Sequence, residues 1–262
     1  MRPCGYIQDH PDITHPDADL LLGAFGTSTP DSVDLEPFAP PVFDQNTTSS
    51  CTGHGTATAI QIALAGKSVF IPSPRGIYAV GRAVSRRSPI DALTDEGAMP
   101  DSVVRGISTW GVWPMGPTGA AYSDVNARNV NVEPSLGELE TASRSLVVGA
   151  HTIQPIGDRR VEGARQALAA GYPVCVGVYV DTQFEKWKRG DPPVGTPNFT
   201  DPNGGSHWVC VVGYSTVGGV TIFKVRNSWG VEFGDGGNIL GNEDFMRAAY
   251  QAFVFSVTES AQ

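Results

Sequence analysis

Helical periodicity dominates the first half of the chain. Residues 51–65 carry apolar side chains at Ala57, Ile60, Ala63 and Leu64, which is the three- and four-residue spacing of one face of a helix. Similar patterns predict helices over residues 73–86, 100–110 and 135–144, and Gly111 is placed to end the third of these four helices. The chain up to about residue 145 is therefore predicted to be largely helical.

The pattern changes to that of strands after residue 145. Runs rich in β-branched and aromatic residues predict strands over residues 146–153, 172–180, 206–215, 220–229 and 253–257, and an amphipathic helix is predicted over residues 157–170. Residues 216–219, Thr-Val-Gly-Gly, are predicted to be a four-residue hairpin loop. A helical lobe followed by an antiparallel β lobe gives the α+β fold class.

Composition and charge narrow the possible functions. The 262 residues are 40% hydrophobic and 17% charged, which excludes a disordered chain or a coiled coil. A formal net charge of −9 argues against nucleic acid or an anionic membrane as a partner. No apolar run approaches the roughly 18 residues that span a bilayer. No apolar segment follows Met1, so we expect no secretory leader and a cytoplasmic location, with virion association or unconventional export left open.

The N-terminal residues differ from both lobes. His-Pro-Asp occurs at residues 10–12 and 15–17, and Ala-Pro-Pro at residues 39–41. Such sequences favour extended or irregular chain, which lies on the surface of other elements. We therefore expect residues 1–30 to form an extended acidic arm without a core of its own.

The cysteines point to one reactive thiol. Cys175 and Cys210 lie in apolar, strand-like runs and are predicted to be small core residues, with a bridge between them as the minor alternative. Cys4 lies close to the N-terminus. Cys51 stands at the predicted start of a helix, where partial positive charge stabilises a thiolate. Four cysteines in so long a chain do not form a disulfide scaffold, and they fit a reducing compartment.

A nucleophilic cysteine needs an imidazole partner, and the chain has five histidines. His10 and His15 lie in the arm and are expected on the surface. His54 follows Cys51 by three residues on the same helix, so its side chain points along that helix, and His151 has no evident orienting neighbour. Both remain open as minor alternatives to His207.

The hairpin supplies His207 with a neighbour. Continuing the pairing from the predicted four-residue loop places residue 207 opposite residue 228, so that His207 and Asn227 lie within one residue of facing each other, roughly 5 Å apart. A neutral amide fixes the tautomer and orientation of an imidazole without trapping its proton. A register slip of one residue would move a side chain to the other face of the sheet.

Together these residues resemble papain-like cysteine peptidases, in particular the bacterial and phage members. The likeness covers roughly residues 5–257 and rests on ordered motifs: Gln45 six residues before Cys51, Ser-His-Trp at residues 206–208, Asn-Ser-Trp-Gly at residues 227–230 and Gly-Asp-Gly-Gly at residues 234–237. The opening at residues 5–12, Val-Asp-Leu at residues 33–35 and Asp-Glu-Gly-Ala at residues 95–98 add to it. The resemblance implies a two-lobed fold, with a helical lobe over about residues 45–145, a β-barrel-like lobe over about residues 146–257, and a cleft between them inside a domain of residues 31–262.

The resemblance also implies roles for individual residues. Cys51 is the expected nucleophile with a lowered pKa, His207 the base and then the acid, and Asn227 the residue that orients the imidazole. Gln45 and the backbone N–H of Cys51 are the expected donors to the oxyanion. Trp229 is expected to shield the hydrogen bond between His207 and Asn227, and Ser206 is a supporting residue.

Substrate contacts are implied in the same way. Gly97 and Ala98 offer backbone pairing to an extended peptide, while Met99, Pro100 and Trp208 are candidates for a pocket wall. The loop at residues 46–50 departs from the family's glycine-rich pattern, which affects the expected oxyanion geometry. The arm is expected to lie near the cleft and to restrain activity.

These features predict a cysteine endopeptidase that acts on peptides or proteins through an acyl-enzyme. We expect no cofactor and no metal, because the histidines are scattered and the cysteines unpaired. Two alternatives stay open: acyl transfer or cell-wall peptide cleavage by the same chemistry, and a non-catalytic structural or virion module of the same fold.

Overall fold

A computed structural model describes residues 4–9, 16–19, 29–64, 71–86, 94–115, 128–132, 134–142, 146–153 and 157–259. Its strands are β1 (Ser32–Asp34), β2 (Leu146–Thr152), β3 (Val174–Val180), β4 (Gly205–Val217), β5 (Val220–Arg226), β6 (Asn238–Gly241) and β7 (Gln251–Glu259). Its helices are α1 (Cys51–Leu64), α2 (Pro74–Arg86), α3 (Pro100–Trp110), α4 (Leu136–Ala142), α5 (Asp158–Ala169), α6 (Thr182–Lys186) and α7 (Glu243–Ala248), and a 3-10 turn spans Glu36–Phe38. This mixture confirms the predicted α+β class.

A seven-stranded antiparallel sheet forms the C-terminal lobe. Its strands follow the order β2-β7-β3-β4-β5-β6, and β1 pairs with the end of β4. The central strand β3 is almost entirely buried, which fits its run of Val residues. Because β1 precedes the helices in sequence, a segment from before the helical lobe completes the sheet of the other lobe.

The helical layer packs on this sheet through α1. Nearly every side chain of α1 is buried, and the helix lies against β4, β7 and β3 on one side and α2 on the other. A helix that is buried all round carries no polar face, which explains its run of Ala, Gly, Thr and Ile residues. Helix α3 ends at Gly111 as predicted, with φ at 79° and its N–H donating to Ile107 O.

The predicted hairpin loop of residues 216–219 is wrong. Thr216 and Val217 belong to β4, Val217 pairs with Val220, and the loop consists of Gly218 and Gly219 alone. Both glycines have positive φ, 61° and 82°, and a two-residue turn of this kind matches the twist of the strands on either side. The pairing is therefore shifted by two residues at the turn, and by one residue beyond an irregularity between Val211 and Gly213.

The other predicted elements are present with small shifts at their ends. The predicted strand over residues 220–229 stops at Arg226, so Asn227 lies just outside the sheet, and its N–H donates to Gly237 O at 3.0 Å. The helix predicted over residues 135–144 spans Leu136–Ala142, and residues 143 and 144 lie outside the described residues. Within the described part of the chain, no helix is long and apolar enough to cross a bilayer.

Candidate active site

Cys51 is the first residue of α1, and its side chain is completely buried. The N–H groups of a first helical turn have no partners within the helix, so they give this end a partial positive charge. Gly55, one turn further along, leaves room for Trp208 of β4: a Cβ at position 55 would lie 2.7 Å from Trp208 Cδ1. The start of α1 therefore faces the part of β4 that carries His207.

His207 is held by two neighbours. Its Nε2 lies 2.7 Å from Asn227 Oδ1, and the Trp229 indole stacks on the imidazole at 4.8 Å between ring centroids. His207 is completely buried, and Nδ1 has no hydrogen-bond partner among the described residues. In the ladder His207 pairs with Val178 of β3, so Asn227 reaches the ring through its side chain and not as a member of a facing strand. The bond to Asn227 fixes the ring and leaves Nδ1 for proton transfer.

Gln45 is buried beside the start of α1 and is fixed at both ends of its amide. Nε2 donates to Thr48 O at 2.8 Å, and Oε1 accepts from Ser228 Oγ at 2.7 Å. The backbone N–H of Gln45 also donates to Ser228 O at 2.9 Å. Ser228 lies between Asn227 and Trp229 in the chain. Its two hydrogen bonds therefore link Gln45 to the segment that holds His207 in place. No pattern in the sequence indicates this role for Ser228.

Burial controls the protonation of the site. It raises the pKa of the Cys51 thiol to about 12, although the backbone N–H groups of Gly5, Trp208 and Thr52 act in the opposite direction. Burial also lowers the pKa of His207 to about 4, which the bond to Asn227 opposes and nearby His54 reinforces. The lowered thiol pKa expected from the sequence is not found in this arrangement, because the sulfur is shut off from water. Burial therefore favours the neutral thiol of Cys51 and the neutral imidazole of His207.

The N-terminal arm causes this burial. The Gly5 N–H lies 3.3 Å from Cys51 Sγ, Ala98 N donates to Gly5 O at 2.9 Å, and Ile7 N donates to Ala98 O at 3.1 Å. Asp9 anchors the far end of this segment, since its carboxylate accepts the N–H of Asp101 in the first turn of α3. Residues 5–9 therefore lie along the cleft and use both backbone groups of Ala98.

The predicted substrate contacts divide into three groups. Ala98 pairs with the extended arm, and its pairing with a substrate peptide stays a prediction. The Gly97 N–H donates to Tyr78 Oη at 2.9 Å, and a Cβ at this position would lie 2.3 Å from Gly5 O. Pairing of Gly97 with a substrate also stays a prediction. Trp208 stacks on Tyr6, while Met99 and Pro100 lie where α3 begins, and their contact with a substrate stays a prediction.

A polar cluster that sequence reasoning missed supports the two loops next to the sulfur. The Asp95 carboxylate accepts the Ser49 N–H at 3.0 and 3.1 Å and the Tyr78 hydroxyl at 2.9 Å. Through these bonds the loop before Cys51 is fixed to the loop that carries Gly97. The separations of 17 and 46 residues between Asp95 and its two partners explain why no local pattern reveals the cluster.

The remaining histidines lie apart from this chemistry or outside the description. His54 is buried with Nδ1 2.8 Å from Ser50 O, and burial lowers its pKa to about 4. His151 lies in β2 opposite Val254, and burial lowers its pKa. His10 and His15 lie outside the described residues. Ser206 is the second residue of β4, next to His207, and pairs with Tyr179. Among the described side chains no group of His, Cys, Asp and Glu could hold a metal ion.

Comparison with known sequences finds similarity to cysteine proteases. The Papain family cysteine protease model matches residues 127–248, a stretch that contains His207 and Asn227 and begins after Cys51. The match covers somewhat less than half of the chain, and it shows that this stretch is similar to the papain family of cysteine proteases. Cathepsin S of Mus musculus is 39% identical over 100 residues, which are 37% of this chain and 27% of cathepsin S. An uncharacterized peptidase C1-like protein of Acanthamoeba polyphaga mimivirus is 28% identical over 207 residues, which are 73% of this chain and 60% of that protein.

Solved structures share the papain-like fold. Xylellain, a cysteine protease from Xylella fastidiosa, superposes with a TM-score of 0.72 at 24% identity, covering 100% of this chain and 97% of xylellain. Digestive procathepsin L 3 of Tenebrio molitor gives a TM-score of 0.66 at 20% identity, covering 96% of this chain and 75% of that chain. The predicted papain-like architecture is confirmed. The chain spans only 27% and 60% of the two sequence relatives named above.

Proposed function

We propose that this protein is a cysteine endopeptidase that hydrolyses peptide bonds in peptides or proteins through an acyl-enzyme on Cys51. The observation that carries the proposal is the His207–Asn227 bond of 2.7 Å beneath Trp229, with His207 Nδ1 unpartnered among the described residues and the start of α1 facing this part of β4. An oriented imidazole with one nitrogen reserved for proton transfer is what a thiol nucleophile requires.

The first half of the reaction forms a thioester. Cys51 Sγ attacks the scissile carbonyl carbon while His207 Nδ1 takes the thiol proton. The developing oxyanion accepts hydrogen bonds from the backbone N–H of Cys51 and from the side-chain amide of Gln45, which Thr48 and Ser228 hold in place. His207 then gives its proton to the leaving amine as the C–N bond breaks.

The second half regenerates the thiol. Water attacks the thioester carbon as His207 Nδ1 takes a proton from it. The C–S bond then breaks, the carboxylic acid is released, and the imidazolium returns its proton to the sulfur of Cys51. The imidazolium is stabilised throughout by Asn227 Oδ1, which accepts from Nε2–H. Trp229 covers this bond and keeps water from competing for it.

The described arrangement is proposed to be a latent form. Gly5 lies on the sulfur and both backbone groups of Ala98 are used by the arm, so an incoming peptide finds its pairing edge occupied. The raised pKa of the Cys51 thiol and the lowered pKa of His207 favour the neutral form of both groups, as expected for an inactive enzyme. Release of residues 4–9 re-exposes the sulfur to water and to substrate, which removes the main cause of the raised thiol pKa.

We further propose that the protein is of the bacterial or phage type and works in a reducing compartment such as the cytoplasm. Near-complete mutual coverage with xylellain supports the first statement. The second is supported by the absence of a disulfide among Cys4, Cys51, Cys175 and Cys210, all of which the structure describes. Thiol titration of protein isolated without reductant is expected to find all four cysteines reduced, and a count of two would oppose it.

Substitution of the nucleophile tests the proposal. Tyr6→Ala protein, in which the arm is expected to be displaced, and the same protein carrying Cys51→Ala are assayed on an unstructured protein such as casein and for labelling by an epoxide thiol inhibitor. Tyr6→Ala carrying Cys4→Ala is the matched control. We expect Cys51→Ala to lose at least about 10⁴-fold in rate and all labelling, with its circular dichroism unchanged. Hydrolysis or labelling that survives in Cys51→Ala identifies another nucleophile and overturns the proposal.

A further inference from the structure

Two loops flank the chain that lies next to the sulfur. Gly5 of the arm passes between Ser49, in the loop before Cys51, and Gly97, in the loop before α3. A Cβ at position 5 would lie 1.6 Å from Ser49 O, and a Cβ at position 97 would lie 2.3 Å from Gly5 O. Because the Gly5 N–H is 3.3 Å from Cys51 Sγ, these two loops determine where an extended chain lies relative to the nucleophile.

One pair of side chains connects the two loops. The Asp95 carboxylate accepts the Ser49 N–H with both of its oxygens, at 3.0 and 3.1 Å. Its Oδ1 also accepts the Tyr78 hydroxyl at 2.9 Å, and the same hydroxyl oxygen accepts the Gly97 N–H at 2.9 Å. The separation of the loops therefore depends on Asp95 and Tyr78, which hold a backbone N–H group on each side of the chain in the cleft.

Both members of this pair are supported by the buried helix α2. Tyr78 of α2 is completely buried, and a Cβ at position 53 of α1 would lie 2.9 Å from its Cβ. One turn further along α2, the Arg82 guanidinium lies 4.1 Å from the centroid of the Tyr78 ring. Arg82 also donates to the carbonyl oxygen of Thr94, the residue before Asp95, at 2.8 Å. Helix α2 therefore fixes the phenol and the carboxylate together.

The connection extends to the groups proposed to act on a substrate. Ser49 follows Thr48, whose carbonyl oxygen accepts the Gln45 side-chain amide at 2.8 Å. Gly97 precedes Ala98, whose backbone N–H and C=O both pair with extended chain. A reacting carbonyl has to lie about 3–3.5 Å from its nucleophile and about 2.7–3.1 Å from its oxyanion donors. The two connected loops therefore join the group that pairs with a peptide backbone to a group that stabilises the oxyanion.

We propose, on the basis of the proposed peptidase function, that Asp95 and Tyr78 are positioning residues that hold the backbone of an extended substrate in place relative to Cys51 and the oxyanion donors. Neither side chain touches the reacting atoms. When one of their bonds is lost, Ala98 still pairs with the peptide, so the peptide binds but its carbonyl is displaced from the sulfur. A displacement of about 1 Å is enough to cost about 10²-fold in rate.

Kinetics on an open form of the full chain test this role. Tyr6→Ala supplies that form, because the buried Tyr6 ring docks the arm: it stacks on Trp208, and a Cβ at position 177, a glycine of β3, would lie 2.4 Å from Tyr6 Cζ. The long substrate is the casein-derived peptide that Tyr6→Ala protein cleaves fastest. The short substrate is p-nitrophenyl acetate, which acylates Cys51 but has no peptide backbone to pair with Ala98.

Tyr78→Phe, added to Tyr6→Ala, removes only the hydroxyl. It is expected to lower kcat for the peptide by about 10- to 10²-fold and to change KM by less than about threefold. Acylation by p-nitrophenyl acetate is expected to stay within about twofold, because the ester does not pair with either loop. Tyr214→Phe is the matched control: this buried tyrosine lies towards the other end of β4 from His207 and donates to Pro30 O at 2.7 Å. It is expected to leave both rates unchanged.

Substitutions of Asp95 test the other member of the pair. Asp95→Ala is expected to lower kcat for the peptide at least as much as Tyr78→Phe, because the Ser49 N–H and the Tyr78 hydroxyl both lose their acceptor. Asp95→Asn is expected to recover part of this loss, because an amide oxygen in place of Oδ1 accepts from both donors. Circular dichroism of each variant checks that the fold is kept.

The outcomes separate this inference from the peptidase proposal. An unchanged kcat in Tyr78→Phe, a raised KM at unchanged kcat, an equal loss on the peptide and the ester, or an Asp95→Asn variant as slow as Asp95→Ala overturns the inference and leaves the peptidase proposal standing. If Tyr6→Ala protein is acylated by the ester but cleaves no peptide, the peptidase function is refuted and the inference fails with it.

Discussion

Tyr6→Ala is expected to open the active site of the full chain. A buried tyrosine removes roughly 150–250 Å² from water, worth about 3 kcal/mol for its apolar part, and its bond to Gln251 adds about 1 kcal/mol. Because the alanine side chain keeps part of this contact, the net loss of docking energy is about 3 kcal/mol, which raises the fraction of molecules with a displaced arm by about 100-fold. The backbone hydrogen bonds between the arm and Ala98, made by Gly5 and Ile7, can form equally in the wild type and in Tyr6→Ala. They therefore do not offset the loss of the Tyr6 ring.

Alkylation of Cys51 measures this fraction directly. Iodoacetamide is added to native protein at neutral pH, and incorporation is followed by mass spectrometry of the peptide that contains Cys51. The labelling rate of Tyr6→Ala is expected to exceed that of the wild type by about 100-fold, because only the open form presents a solvated thiol. Phe38→Ala, at an aromatic residue that is 48% exposed in the 3-10 turn, is the control and is expected to label at the wild-type rate. Equal rates for Tyr6→Ala and the wild type would refute the account of the arm.

Three further predictions concern the residues around the sulfur. Asn227→Ala is expected to lower kcat about 10²-fold with little change in KM, because the imidazole loses its orienting acceptor, and an unchanged kcat would contradict that role. Gln45→Ala is expected to lower kcat by about 10²- to 10³-fold, whereas a raised KM at unchanged kcat would exclude an oxyanion donor. The third prediction concerns pH: burial lowers the pKa values of His54 and His207 to about 4. Between pH 6.5 and 4 the unfolded chain therefore binds more protons than the folded one. The free energy of unfolding is expected to fall as the pH is lowered through this window, by up to about 1.4 kcal/mol per pH unit for each imidazole. Urea titrations at pH 7, 5.5 and 4.5 check this, with a smaller slope expected for His54→Asn, and a stability independent of pH would contradict it.

Local patterns predicted most of the elements that position the site. The helix that begins at Cys51 follows from the spacing of Ala57, Ile60 and Leu64, and β3 follows from its run of valines. The predicted hairpin loop is two residues too long. Thr216 and Val217 precede the two glycines and are assigned to the loop for that reason, but they belong to β4. Positive φ at both glycines makes a two-residue turn possible, and propensity alone does not reveal φ.

Long-range contacts explain what sequence reasoning could not supply. Gly5 meets Cys51 across 46 residues, and Tyr6 meets Gln251 across 245 residues, so no window of sequence contains either pair. The low thiol pKa expected from the helix terminus was reversed by the same arm, since burial outweighs the N–H groups around the sulfur. Gly177, a glycine inside an otherwise apolar strand, is the one local indication of such a contact. A glycine at such a position indicates that another group approaches the strand closely, but it does not identify that group.

Adduct mapping on the opened enzyme tests the central claim most directly. Tyr6→Ala protein is treated with one equivalent of an epoxide thiol inhibitor, digested, and sequenced by tandem mass spectrometry, in parallel with Tyr6→Ala carrying His207→Ala. We predict that the adduct forms at Cys51 alone among the four cysteines and that removal of His207 slows its formation by at least about 10²-fold. An adduct at Cys4, Cys175 or Cys210, or one that forms at Cys51 equally fast without His207, would contradict the proposed catalytic pair.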